Sequence, residues 1–160
     1  MNNLKIHQFI ANAVNFHNKK ESDSILVKSK PELERIPTGI KGLDDAMAGG
    51  FIKDSINLVA GSPGSGKSIF AMQYLVNGAK KYNQPGVYIT FEERKDKLLQ
   101  YMDNFGWDLK ELVANKKVDI LEQSPVDIKK ATAKELLGLK FKIVKELKAK
   151  RVVIDSMSAF

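Results

Sequence analysis

Apolar positions along this chain follow two periods, and the switches between them mark out its elements. Residues 56–60, Ile-Asn-Leu-Val-Ala, form a short, mostly apolar run that predicts a buried strand. Over residues 68–81 the spacing lengthens. Ile69, Met72 and Val76 fall on one helical stripe and Phe70 and Leu75 on another, which predicts a helix. After a turn at 83–86, residues 87–91 (Val-Tyr-Ile-Thr-Phe) are β-branched and aromatic, which predicts a second strand. Leu98, Leu99 and Met102 predict the inner face of a helix over 95–104. Asp108 and Glu111 have capping-box spacing for a further short helix to Ala114. Residues 118–121 read as a third strand. A loop starts at Ser124-Pro125, and a long helix follows over 132–148 with Leu136, Leu139, Ile143 and Leu147 on one face. Residues 152–154, Val-Val-Ile, read as a fourth strand ending at Asp155. Alternation of this kind predicts an α/β fold, a parallel sheet with helices on both faces.

The chain before residue 35 follows a different pattern. Residues 4–16 have loose helical spacing (Leu4, Ile6, Phe9, Ile10, Ala13, Val14, Phe16), and 18–34 are polar and charged around Pro31. The expected organisation is an N-terminal helix and polar linker over 1–34 and a second part over 35–160. That second part opens with Gly39 and Gly42 in tight turns and a short helix carrying Leu43 and Met47. Gly49-Gly50 then breaks the chain.

Composition narrows the function classes. With 160 residues, one domain is the expectation. There are no cysteines, which excludes a disulfide framework and a Cys-ligated zinc. His7, Gln8, Asn12 and Asn15 interrupt every apolar run near the N-terminus, and no stretch reaches membrane-spanning length, so a cytoplasmic protein without a membrane partner is expected. The formal net charge of +7 permits a nucleic-acid partner without indicating one. The lysines are dispersed and few aromatics lie among them, as on a solvated surface.

The chemistry centres on Gly61-Ser62-Pro63-Gly64-Ser65-Gly66-Lys67-Ser68, the G-x-x-x-x-G-K-[ST] pattern of a phosphate-binding loop. A triphosphate needs many donors at close range, and backbone N–H groups supply them where no Cβ intervenes. Lys67 adds a charge for the β and γ phosphates, the Ser68 hydroxyl is a ligand for Mg²⁺, and the helix that follows turns its positive dipole end to the anion. The flanking pattern of strand before and helix after suits the motif. Asp155, at the end of an apolar strand, reads as a second Mg²⁺ residue opposite Ser68. Glu92 and Glu93 end the strand after the loop helix, where a carboxylate can orient and deprotonate the water that attacks the γ-phosphate. Side chains alternate along a strand, so only one of the two faces the nucleotide unless the strand has already ended. All these sites fall at predicted strand carboxyl ends, where open α/β sheets bind ligands.

From about Arg35 to Ser158 the chain resembles the N-terminal part of a KaiC-type ATPase domain of the RecA superfamily. The resemblance rests on Thr38-Gly39-Ile40-Lys41-Gly42-Leu43-Asp44-Asp45, on Gly49-Gly50-Phe51 and on the phosphate loop. It continues in Gln84 to Glu93, in Phe105-Gly106-Trp107-Asp108-Leu109 and in Arg151 to Ser156. It implies ATP binding, Mg²⁺, slow hydrolysis and a homo-oligomer, hexameric or filamentous, with nucleotide between subunits. By position it makes Lys67 a phosphate contact, Ser68 a magnesium ligand, Glu92 the water-activating glutamate with Glu93 as its neighbour, and Asp155 the Walker B residue. Ile52 and Asp54 stand where the family usually has a proline and a glycine. Asp tolerates the left-handed region better than most residues, so the turn is expected to survive.

In RecA-type domains a later strand inserts between the phosphate-loop strand and the Walker B strand. This sequence ends at Phe160, so those two strands are expected either to pair directly or to leave a gap. The expectation is a partial domain that binds nucleotide weakly when alone. Two other readings stay open: a non-hydrolytic nucleotide-binding or interaction module, and a RecA-like DNA-repair ATPase.

Overall fold

The computed structural model describes residues 33–122 and 144–155. The expected N-terminal helix and linker, the loop at Ser124-Pro125 and most of the long helix lie outside them. Nine elements follow in order. They are β1 (Arg35–Ile36), α1 (Leu43–Ala46), β2 (Phe51–Ile52), α2 (Lys67–Lys81), β3 (Gly86–Thr90), α3 (Lys95–Asp103), α4 (Leu109–Ala114), β4 (Val118–Glu122) and β5 (Arg151–Asp155). Residues 144–146 are also helical.

The main sheet has the order β4-β3-β5 and is parallel throughout. β3 is central and buried along its whole length, as a strand covered on both faces must be. Its period-2 alternation divides two cores. Tyr88, with Val118 and Ile120 of β4, packs under Met72, Leu75, Val76 and Ala79 of α2, Leu98 and Met102 of α3 and Leu109 of α4. Val87, Ile89 and Phe91 form the other core with Leu121, Val144, Leu147 and Ala149. Each fully buried Leu or Met contributes about 2 kcal/mol. The fold is therefore α/β with a parallel sheet, as expected, and apolar side chains cover both sheet faces.

β1 and β2 form a small antiparallel pair, with Arg35 opposite Ile52 and Ile36 opposite Phe51. Asp54 closes the turn after it with φ of 59°, so aspartate does take the left-handed conformation. Asp44 organises the preceding loop. Its Oδ1 accepts from the Thr38 N–H (2.7 Å) and hydroxyl (2.6 Å), and its Oδ2 accepts from the Gly39 N–H at 2.8 Å.

Arg151 pins this unit to the sheet. It is 1% exposed at the start of β5. Its Nε donates to Gln84 Oε1 (2.8 Å), Nη1 to the Tyr74 carbonyl (2.8 Å) and Nη2 to the Pro37 carbonyl (2.7 Å). Its guanidinium also lies 4.4 Å from the centre of the Tyr74 ring. Gly78 makes room for it: a Cβ there would stand 2.5 Å from Arg151 Cδ and Nε.

Two expectations fail. Residues 56–60 are not a strand, and Ile56, Leu58 and Val59 are exposed. β5 pairs with β3 alone among the described residues, and its Val152 and Ile154 side chains are also exposed. Residues 56–60 and β5 do not pair, so of the two alternatives the structure takes the gap. The capping box at Asp108 does not form either. Asp108 has a φ of 52°, whereas a capping residue is extended, and its carboxylate turns to Lys80 Nζ at 2.7 Å.

Arg151→Met keeps the volume but leaves three acceptors without their donors. It should lower the free energy of urea unfolding by about 3 kcal/mol, while Lys110→Met, which breaks an exposed pair with Asp103, should change it by less than about 0.5 kcal/mol. Asp44 supplies a pH signature. Burial, its largest single influence, raises its pKa, but the Thr38 and Gly39 hydrogen bonds and the Arg151 charge outweigh it and the net direction is down. A depressed folded-state pKa stabilises above the unfolded value and ceases to do so as pH falls through the folded one. Asp44→Asn should therefore cost most near neutrality, and its difference from the parent in urea unfolding should shrink below about pH 4.

Candidate functional site

The loop Gly61 to Ser68 and helix α2 form one piece. Gly66 caps α2 with φ of 88° and Gly64 has φ of 77°, both in the region that favours glycine. No side chain caps the helix, so its first-turn N–H groups face the loop. Nothing lies within 4 Å of where a Cβ would stand on Gly64 or Gly66, so the loop is open at those two positions, whereas a Cβ on Gly61 would meet Ser65 Oγ at 2.5 Å. Lys67 Nζ donates to the carbonyls of Gly61 and Ser62, each at 3.0 Å, which holds the ammonium across the mouth of the loop.

The parallel register carries Asp155 to the same place. Thr90 pairs with Asp155 at the carboxyl ends of β3 and β5. The Ser68 hydroxyl donates to Asp155 Oδ2 at 2.6 Å, a contact between residues 87 apart in sequence. The Tyr88 hydroxyl donates to the same oxygen. Burial first, then the hydrogen bond and charge of Asp155, push the Tyr88 phenol far up, with Glu93 adding to the rise and the Ser68 hydroxyl opposing it. Tyr88 is therefore a donor throughout the physiological range.

β3 ends at Thr90, one residue before the expected end, and an abrupt turn follows. Thr90 Oγ1 accepts from the Glu93 N–H (3.0 Å) and donates to the Glu93 carbonyl (2.9 Å). Because the strand has ended, alternation no longer assigns Glu92 and Glu93 to opposite faces. The charge of Glu93 acts on Tyr88 beside Asp155, and Glu92 is exposed on the same bend.

The structure thus gathers Ser68, Asp155 and the influence of Glu93 at one sheet end, with Lys67 on the adjoining loop. Sequence reasoning missed Tyr88, whose signal was a polar tip on an otherwise apolar strand. The donors at the centre, a hydroxyl and a carboxylate, are hard oxygens suited to Mg²⁺, which takes one or two protein oxygens and completes its shell from phosphate and water. The residues therefore fit both groups implied by the motif: an exposed glycine-rich loop at the N-terminus of α2 for phosphates and an oxygen pair for the cation.

Comparison with known proteins identifies the family. The family model described as "ATPase: KaiC" matches residues 36–160. The circadian clock oscillator protein KaiC of Prochlorococcus marinus strain SARG is 41% identical over 133 residues, covering 80% of this chain and 26% of the relative. That of Prochlorococcus marinus subsp. pastoris is 40% identical over 146 residues, covering 88% and 28%. The chain thus spans about a quarter of the length of these relatives. Among solved structures, a KaiC-like protein from the hyperthermophilic archaeon Pyrococcus horikoshii OT3 superposes with a TM-score of 0.72 at 34% identity, covering 80% of this chain and 56% of that one. A sheet-end site built on a phosphate loop and a match over most of the sequence lead to one conclusion: the chain belongs to the KaiC ATPase family, whose ATP binding is a property at the level of the family.

Proposed function

We propose that this chain binds Mg·ATP at the loop Gly61 to Ser68 and takes part in its hydrolysis. The observation that carries the reading is the hydrogen bond between Ser68 and Asp155, which ties the N-terminus of α2 to the carboxyl end of β5. In this reading Gly61, Ser62, Pro63, Gly64, Ser65 and Gly66 present backbone groups to the phosphates, and Lys67 leaves its loop carbonyls for the β and γ phosphates. Ser68 and Asp155 hold the magnesium, which when bound neutralises phosphate charge and polarises the γ-phosphate. Glu92 activates the attacking water, as the resemblance implies, and Glu93 stands beside it. The supporting features are the open loop, the oxygen pair and the bend that brings both glutamates to the sheet end.

Affinity in this reading is low for the chain by itself. The segment before the loop has no sheet partner among the described residues, so the loop is anchored through α2 on one side only. Residues 56–60 are irregular and exposed, so they add no sheet support to the loop. Assembly into a homo-oligomer, a cytoplasmic location and coupling to a signalling process belong to the same proposal and rest on family resemblance. Among the described residues no helix is long and apolar enough to cross a membrane.

Titration calorimetry tests the binding. Mg·ATP should bind weakly, and Lys67→Ala should weaken it by at least about tenfold; equal binding by both proteins would place the nucleotide elsewhere. Hydrolysis has its own test. Glu92→Gln should cut turnover by about a hundredfold or more at unchanged ATP affinity. Binding that depends on Lys67, together with turnover indifferent to Glu92→Gln, favours a nucleotide-binding module that does not itself catalyse.

A further inference from the structure

We propose that Tyr88 is a positioning residue for Asp155, and that its hydroxyl sets the response of the site to Mg²⁺. The inference rests on the nucleotide-binding reading above and concerns a residue to which the motif assigns no role.

The argument starts from register. Tyr88 stands opposite Val153, and Thr90 stands opposite Asp155, so Tyr88 is the diagonal neighbour of Asp155 two positions back along the sheet. Both project to the face covered by α2, because Tyr88 packs among Met72, Leu75 and Val76 and Asp155 meets Ser68 at the start of that helix. A diagonal of this kind is out of reach for a short side chain and within reach of a tyrosine. The ring is completely buried, so packing fixes its direction and carries the hydroxyl to one place, beside the Ser68 hydroxyl and the Asp155 carboxylate.

That place is Asp155 Oδ2, which also accepts from Ser68. β5 is the last strand of the described sheet, and its exposed Ile154 shows that packing around Asp155 is one-sided. A carboxylate in such a position rotates readily unless hydrogen bonds hold it. Ser68 alone cannot hold it through the binding cycle, because its hydroxyl is also the proposed cation ligand. Tyr88 remains on Asp155 when Ser68 turns away. Both side-chain hydrogen bonds that the described residues give the Asp155 carboxylate fall on Oδ2, which leaves Oδ1 as the oxygen without a side-chain donor among them.

Tyr88→Phe removes the donor and leaves the buried ring in place. In titrations of the whole chain with ATP at increasing Mg²⁺, the magnesium concentration for half-maximal effect should rise about fivefold to tenfold, while metal-free ATP affinity moves less than about twofold. A purely structural role for Tyr88 would weaken binding equally with and without Mg²⁺, and that result would overturn the proposal, as would an unchanged magnesium response. The contact is also testable without nucleotide. In urea unfolding of Tyr88→Phe, Asp155→Ala and the double variant, the proposal requires the two changes to be non-additive. If the parent chain binds no ATP at all, the nucleotide reading fails, and the unfolding cycle still decides: additivity there refutes the hydrogen bond on which the inference stands.

Discussion

One buried guanidinium holds this structure in register. Arg151 enters the sheet at the first residue of β5 and donates to three separate segments: the loop before α1, the middle of α2 and the turn before β3. An arginine with 1% exposure is tolerable only because all its donor faces are satisfied or stacked on Tyr74 and Tyr82. The arrangement fixes α2 over β5 at one end of the strand. Four residues later, at the other end of the strand, the same geometry brings Ser68 against Asp155. A structural anchor and a chemical site thus share one short strand, and the parallel register transmits one to the other.

The site is unevenly supported. α2 is buried along Met72, Leu75, Val76 and Ala79, which makes the helix side of the phosphate loop rigid. The side that precedes the loop is exposed and outside the sheet, and the adjacent edge of β5 carries exposed Val152 and Ile154. An open parallel edge flanked by apolar side chains is costly to leave in water.

Much of this was legible in the sequence, for identifiable reasons. β3, β4 and β5 were readable because each is an apolar run bounded by turn residues, and α2 because its apolar spacing matches the face that became buried. The left-handed turns at Gly64 and Gly66 were legible in the same way, because glycine is the residue that takes them without strain. Residues 56–60 misled because strand propensity is a statement about fit to a neighbour, and the segment pairs with none of the described strands. Asp108 misled because capping-box spacing says nothing of the backbone conformation, which is left-handed there, or of the competing Lys80. Tyr88 was invisible for a different reason. Its role depends on register between strands 67 residues apart, and a pattern along one strand contains no register. Asp54, by contrast, behaved as its side chain suggested, taking the turn at φ of 59°.

The central claim is that the backbone of the phosphate loop, held by α2, receives the phosphates of ATP. Amide hydrogen exchange across the whole chain, with and without saturating Mg·ATP, tests it most directly. The account predicts slowed exchange at the N–H groups of Gly64, Ser65, Gly66, Lys67 and Ser68, with little change in β1 and β2. Unchanged exchange in the loop, or protection confined to another face of the molecule, would contradict it.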